Sequence, residues 1–97
     1  MELVKKGTAK RGIQALSKKI DRGDAAFSGL KLSQENVDKI IKNVLNASAE
    51  NQSYKLGVNT EGIPYVDIFN TQTKQGVRII QSTGNFDTFV TYVPKIK

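Results

Sequence analysis

The chain has 97 residues and a mass of 10.7 kDa, of which 38% are hydrophobic and 25% are charged. This length allows one domain with one core, and no apolar run approaches the about 18 residues that a membrane-spanning helix needs. Cysteine and histidine are both absent, so the sequence excludes disulfides and thiolate nucleophiles and makes a zinc site or a Ser-His triad improbable. Acid-base chemistry must use Lys, Arg, Asp, Glu, Tyr or Thr.

The net charge of +6 is concentrated near the start of the sequence. Residues 1–22 hold seven basic residues against Glu2 and Asp21. Lysine and arginine neutralise phosphates, so this region fits a nucleic acid, and an acidic protein would fit it as well. A solvated helix face is the plainer alternative. The basic residues are Lys5, Lys6, Lys10, Arg11, Lys18, Lys19 and Arg22.

The opening MELVKKGTAK has no apolar stretch after its lysines and does not predict a secretory signal peptide. Thr8 can cap a first helix at about 8–21. The glycine-containing stretch GDAAFSGLK then predicts a loop held in place by Phe27 and Leu30. The apolar residues that share one side of the first helix are Ile13, Leu16 and Ile20.

The segment SQENVDKIIKNVLNAS predicts a second helix. Ser33 is its expected N-cap, and Glu35 and Asp38 lie near its positive end. Its apolar residues follow the i, i+3, i+4, i+7, i+8 spacing of a helix that packs on a core. These residues are Val37, Ile40, Ile41, Val44 and Leu45.

From Ser53 onward the pattern changes from helical to extended. We predict strands at 53–58, 63–69, 76–82 and 87–93, joined by the turns VNTEG, NTQTKQ and TGN. Pro64 is tolerable near the start of the second strand, and Pro94 is expected to end the last one. The predicted fold is a single α+β domain over residues 1–97. In it, two N-terminal helices cover one face of a four-stranded antiparallel sheet and leave the other as a working surface.

A basic helix beside a polar sheet can act on a phosphodiester. RNA supplies its own nucleophile, the 2′-hydroxyl. An enzyme need only align this group, assist proton transfer and stabilise the phosphoryl charge, which arginine and lysine can do without histidine. The candidate side chains on the predicted sheet are Arg78, Ser82, Thr83, Thr88, Thr91 and Tyr92.

The arrangement resembles the C-terminal tRNA-cleaving domains of bacterial competition toxins, namely colicin D and the CdiA-type contact-dependent inhibition toxins. These share the barnase/EndoU/colicin/RelE fold. The resemblance runs from ALSKKIDRGDAAFSG to YVDIFNTQTKQGVRIIQSTGNFDTFVTYVP. Its most telling part is the last hairpin, where an apolar strand, a Ser-x-Gly turn and a phenylalanine lead into a strand with a hydroxyl residue.

The resemblance implies catalytic residues by position. In colicin D they are a histidine, lysines just before a Gly-Asp-Phe loop, and a serine on the final strand. The lysine-rich segment corresponds to Lys18, Lys19 and Arg22, and the serine corresponds to Thr88. The histidine has no counterpart, which leaves the general base open, although relatives such as RelE-type toxins work with Arg, Lys, Tyr or Thr.

The catalytic candidates each have a structural alternative. Lys19 and Arg22 would contact the scissile phosphate, or else only complement the helix dipole. Arg78 would stabilise phosphoryl charge, or else form an ion pair with Asp67 or Asp87.

The choice between Thr88 and Thr91 depends on the turn. A two-residue Gly84-Asn85 turn would place Thr91 opposite Arg78, whereas a three-residue turn would favour Thr88. Plain β-propensity is the alternative role for either threonine.

The remaining candidates concern RNA binding. Lys10, Arg11 and Lys18 would contact the RNA backbone. Tyr92 and Tyr54 would stack on a base or, as the favoured role, fill the core. Asp21 and Asp24 would orient a lysine or, more in keeping with their place, shape the loop.

Together these expectations describe a metal-independent ribonuclease toxin without a cofactor. It would cleave tRNA by 2′-hydroxyl attack, giving a 2′,3′-cyclic phosphate. It would be delivered from a secreted or cell-surface effector and act in the cytoplasm of the target cell. The resemblance also implies an immunity protein with an acidic surface, and leaves open a cofactor protein in the target cell. The alternatives are a RelE-like mRNA endonuclease paired with an antitoxin, and a non-catalytic RNA-binding or protein-binding module.

Overall fold

The computed structural model describes residues 8–93, with side chains from residue 11 onward. The expected end of the last strand at Pro94 lies outside this range. The basic residues Lys5 and Lys6 lie outside it as well. Two helices precede a four-stranded antiparallel sheet, as predicted. The elements are α1 (Thr8–Asp21), α2 (Gln34–Leu45), β1 (Gln52–Val58), β2 (Pro64–Asn70), β3 (Gln75–Ile80) and β4 (Phe86–Thr91).

The strands lie side by side in chain order, so the sheet is a simple meander. Pro64 is the first residue of β2, where its lack of an N–H disrupts the hydrogen bonding between strands least. The predicted strands are confirmed to within two residues at each end. The largest differences are at the β3–β4 hairpin, which is described with the site below.

Both helices bury their apolar sides against the same face of the sheet. The Ser33 hydroxyl accepts a hydrogen bond from the Asn36 N–H at 3.2 Å, which confirms the predicted cap of α2. Phe27 is fully buried and holds the loop after α1 in the core, also as predicted. The core residues are Ala15, Leu16, Phe27, Val37, Ile40, Ile41, Val44, Ile68, Val77, Ile79, Phe86 and Phe89.

The helix layer is narrower than the sheet. Helix α1 packs on β4, and α2 packs mainly on β2 and β3. Helix α2 meets β1 at its first residue, where Nε2 of Gln52 donates hydrogen bonds to the carbonyls of Val44 and Leu45 at 2.9 and 3.3 Å. The later helix-side residues of β1 remain exposed. These residues are Tyr54, Leu56 and Val58.

The two helices touch closely at Gly12. A Cβ atom at this position would lie 2.5 Å from Cγ1 of Val37, which is fully buried. Alanine favours a helix over glycine by about 1 kcal/mol, but overpacking a core costs about 1 to 3 kcal/mol. We therefore expect Gly12→Ala to lower the free energy of unfolding, measured by urea denaturation.

Val37→Ala supplies the control for this prediction. It removes the methyl groups that an alanine at position 12 would meet, so the two substitutions should be less damaging together than the sum of their separate effects. A Gly12→Ala protein that is more stable than the wild type would contradict the close contact.

Candidate nucleic-acid interface

A β-bulge in β4 directs one carboxylate toward α1. Ile79 pairs with Phe86 and Arg78 pairs with Thr88, so Asp87 is the extra residue between them. Its carboxylate accepts a hydrogen bond from Nη2 of Arg11 at 2.9 Å, and its carbonyl oxygen accepts one from Nε at 3.1 Å. The bulge thus fixes the position of Arg11, which was predicted to bind RNA.

A shallow cleft of about 240 Å³ lies beside this ion pair. Two cationic side chains, a carboxylate and a hydroxyl residue meet there, which are groups that can bind and act on a phosphodiester. We refer to it as the α1–β4 cleft. Its lining residues are Arg11, Gln14, Ala15, Lys18, Asp87 and Thr88.

A second cluster joins the loop after α1 to the end of β4. The Thr91 hydroxyl donates a hydrogen bond of 2.7 Å to Oδ2 of Asp24, and Nζ of Lys19 lies 3.7 Å from the same oxygen. The other oxygen, Oδ1, accepts the N–H of Ala26 at 3.2 Å. Asp24 therefore shapes the loop and also contacts a lysine. Lys19 and Thr91, both predicted to be catalytic, meet here in a contact that anchors the loop.

Arg78 lies on the sheet face opposite the helices. Its Nε and Nη2 donate hydrogen bonds of 2.8 and 3.0 Å to the two carboxylate oxygens of Asp67, which is only 3% exposed. Its guanidinium carbon lies 3.8 Å from the centroid of the Tyr65 ring. Of the two predicted ion-pair partners, Asp67 is correct, and Asp87 pairs with Arg11 instead.

This pairing affects the charge on Arg78. Hydrogen bonding to Asp67 raises the pKa of the Arg78 guanidinium, against the opposite effect of its partial burial. The guanidinium therefore stays charged throughout the physiological pH range. Two of its nitrogen atoms already donate hydrogen bonds to the buried carboxylate of Asp67, so the role of Arg78 in the structure is to neutralise that carboxylate.

The β3–β4 hairpin corrects the predicted turn. Strand β3 ends at Ile80, whose N–H donates to the Asn85 carbonyl at 2.9 Å, so residues 81–84 form a four-residue loop. Gly84 in this loop has a φ of 72°, which suits glycine. The two-residue turn that would have placed Thr91 opposite Arg78 is wrong. Loop and bulge together place Thr88 opposite Arg78.

The remaining predicted residues are dispersed. Arg22 is exposed just beyond α1, and Lys10 lies in α1 with its side chain outside the described part. The Tyr92 ring packs against Phe69, with centroids 5.5 Å apart, on the open face of the sheet. Tyr54 is 62% exposed on β1. The interpretation of Tyr54 as a core residue is wrong.

Two polar residues of the α1–β4 cleft are not predicted from the sequence as site residues. Gln14 gives no signal, because it is an ordinary polar residue on the exposed side of a helix. The sequence indicates Asp87 only as an ion-pair partner of Arg78, because it predicts a regular pairing of β3 with β4 and gives no sign of the bulge. The sequence feature that marks Asp87 is its position between Phe86 and Thr88, just after the turn that precedes the last strand.

Three further findings concern the class of protein. Among residues 8–93 the structure has no helix long and apolar enough to cross a membrane. In the same part of the chain, no three Asp or Glu side chains come together as metal ligands would. Comparisons with protein-family models, with curated proteins and with solved structures found no match to this chain.

Proposed function

We propose that the domain binds RNA at the α1–β4 cleft and cleaves it without a metal. The observation that carries this proposal is the meeting of Arg11 and Lys18 with Asp87 and Thr88 in one cleft. Lys18 is exposed, and among residues 11–93 it forms no ion pair within 4 Å. Its charge is therefore available to a phosphate.

Each charged group has a role in a cleavage by the 2′-hydroxyl. The Asp87 carboxylate accepts the proton of the 2′-hydroxyl as its oxygen attacks phosphorus. The bond from phosphorus to the 5′-oxygen then breaks, and the leaving oxygen takes a proton from Lys18 or from water. Arg11 and Lys18 stabilise the charge on the phosphoryl oxygens. The products are a 2′,3′-cyclic phosphate and a 5′-hydroxyl.

This assignment moves phosphate stabilisation from Arg78 to α1. Arg78 and Lys19 pair with carboxylates outside the cleft, whereas Lys18 and the Arg11–Asp87 pair line it. The choice of tRNA as substrate rests on the resemblance to competition toxins. The acidic immunity protein and delivery into a target cell rest on it as well.

Many of the charged groups form ion pairs within the protein, which also favours a second function. Arg11, Lys19 and Arg78 are all paired with carboxylates, as expected for a surface that binds rather than reacts. A non-catalytic RNA-binding module would use the same cleft with Lys18 as a phosphate contact.

The test is incubation of purified protein with bacterial tRNA in EDTA, followed by mapping of the cleaved ends. We expect discrete fragments with cyclic phosphates, and a loss of about tenfold or more with Lys18→Gln, which removes a charge from the transition state. Lys39→Gln is the matched control, because Lys39 is exposed on α2 and does not line the cleft. It should cleave within about twofold of the wild type if only general charge is altered.

Binding and cleavage are separated by a titration of tRNA against salt. Loss of the Lys18 contact should reduce the slope of log affinity against log salt by about 0.7 to 0.9. Intact tRNA together with this reduced slope would favour the binding module. Intact tRNA and an unchanged slope would reject the cleft as the RNA site.

A further inference from the structure

Strand β1 is an edge strand, and its apolar side chains are largely exposed. Tyr54, Leu56 and Val58 are 62%, 72% and 61% exposed. They lie on the helix side of the sheet, beyond the main contacts of α2 with β2 and β3, and Tyr54 borders a cavity that α2 also lines. An exposed apolar edge strand is a template for pairing with another strand, and stable monomers usually protect such an edge with charge, a bulge or a covering segment.

The free backbone groups of β1 belong to the same three residues. At the two ends of the β1–β2 ladder, Thr71 donates to the Asn51 carbonyl at 2.8 Å and Asn59 donates to the Ile63 carbonyl at 3.0 Å. Hydrogen-bonded residues alternate along an antiparallel strand, so Ser53, Lys55 and Gly57 bond toward β2. The N–H and C=O groups of Tyr54, Leu56 and Val58 therefore point out of the sheet.

We propose that β1 pairs antiparallel with β1 of a second copy of this chain, about a twofold axis through Leu56. In this register Leu56 faces its own counterpart, and Tyr54 of one copy faces Val58 of the other. All three belong to the outward-bonding set, so each facing pair can exchange two backbone hydrogen bonds. The six apolar side chains then lie together on the helix side of one continuous eight-stranded sheet.

Charge favours this register over the adjacent one and is compatible with a second copy as the occupant. An axis one residue away, through Lys55, would place two lysines directly opposite each other, whereas the axis through Leu56 places each Lys55 opposite Gly57. Lys55 is the one charged residue of β1. The basic helix α1 lies over β4, at the other edge of the sheet, so its charge is far from the junction.

Sedimentation equilibrium over a range of concentrations tests the proposal. We expect the wild-type chain to reach twice its monomer mass of 10.7 kDa. Leu56→Lys should weaken the dimer about tenfold or more, because it sets two like charges at the axis and removes apolar contact. Leu32→Lys, the same kind of change at an exposed residue just before α2, should leave association unaltered.

The register has its own test. Tyr54→Lys alone should weaken the dimer, and adding Val58→Glu to the same chain should restore it, because the introduced charges then face each other across the axis. The chain contains no cysteine, so Leu56→Cys supplies a single thiol. Facing residues of a hydrogen-bonded pair have Cα atoms about 5.5 Å apart, which suits a disulfide.

Leu56→Cys chains should therefore oxidise to a covalent dimer faster than Leu32→Cys chains. A wild-type protein that stays monomeric at every concentration would overturn the proposal. A dimer that tolerates Leu56→Lys, or a Leu56→Cys protein that cross-links no faster than Leu32→Cys, would overturn the interface. The α1–β4 cleft lies at the opposite edge of the sheet from β1, so failure of this proposal and failure of the proposed RNA site would be seen separately.

Discussion

Replacement of Arg78 by methionine is expected to lower the free energy of unfolding by about 3 kcal/mol, because it leaves the buried Asp67 carboxylate without its partner. Methionine keeps much of the apolar stem, so the loss is mainly that of charge and hydrogen bonds. The magnitude is large for a small domain, whose total stability is about 5 to 15 kcal/mol. Urea denaturation followed by circular dichroism measures it.

The double substitution Arg78→Met with Asp67→Leu is the matched control. It removes both charges, and the protein should recover most of the stability lost in Arg78→Met. Arg78→Lys should lie between the two, because lysine keeps the charge but cannot form the two parallel hydrogen bonds or the guanidinium stack on Tyr65. An Arg78→Met protein as stable as the wild type would show that Asp67 does not need this partner.

The pH dependence of the pair follows from the raised pKa of Arg78. A basic group whose pKa is higher in the folded state than in the unfolded state adds stability at every pH below its unfolded value. The contribution is lost only as the pH rises through the still higher folded value. In the physiological range the Arg78 side of the pair is therefore constant, and salt should weaken it little because Asp67 is buried.

Phe27→Ala is expected to cost about 3 to 5 kcal/mol, since it removes a fully buried ring and leaves a cavity. Phe27 packs against Phe89 with ring centroids 5.6 Å apart, between the loop after α1 and the last strand. A loss of this size would bring the domain near its unfolding threshold. Thermal unfolding compared with the wild type gives the measurement.

Two further variants separate packing from loop effects. Phe27→Leu retains most of the apolar volume and should cost clearly less than Phe27→Ala. Ser28→Ala changes the exposed neighbour in the same loop and should stay within about 0.5 kcal/mol of the wild type. If Phe27→Ala were as stable as Ser28→Ala, the ring would contribute nothing to the core, contrary to its burial.

The helices and the order of the strands could be predicted because their signals are local. The spacing of Val37, Ile40 and Val44 places one side of α2 in the core wherever that helix docks. Ser33 caps a helix through an N–H three residues away. Strands joined by short turns pair with their neighbours in the chain, so the meander follows from the turn residues.

The site could not be predicted to the same extent, because its contacts join distant parts of the chain. Thr88 and Thr91 exchange faces if the hairpin turn changes by one residue, and turn preferences do not reveal the bulge at Asp87. The sequence predicts that Arg78, a charged residue within the apolar segment GVRIIQ, lies on a face of the sheet outside the core, and this prediction is correct. That Arg78 forms its ion pair with Asp67 depends on the register between β2 and β3.

The α1–β4 cleft joins an early and a late part of the chain. Arg11 and Lys18 are synthesised long before Asp87 and Thr88, and α1 packs mainly on β4. During translation the β1–β2 hairpin can form as soon as β2 has emerged, whereas α1 lacks β4, its main packing partner, until the last strand is made. Any chemistry of this cleft is therefore absent from the growing polypeptide, and the ribosome that makes the protein is not exposed to a finished site until residue 88 has been added.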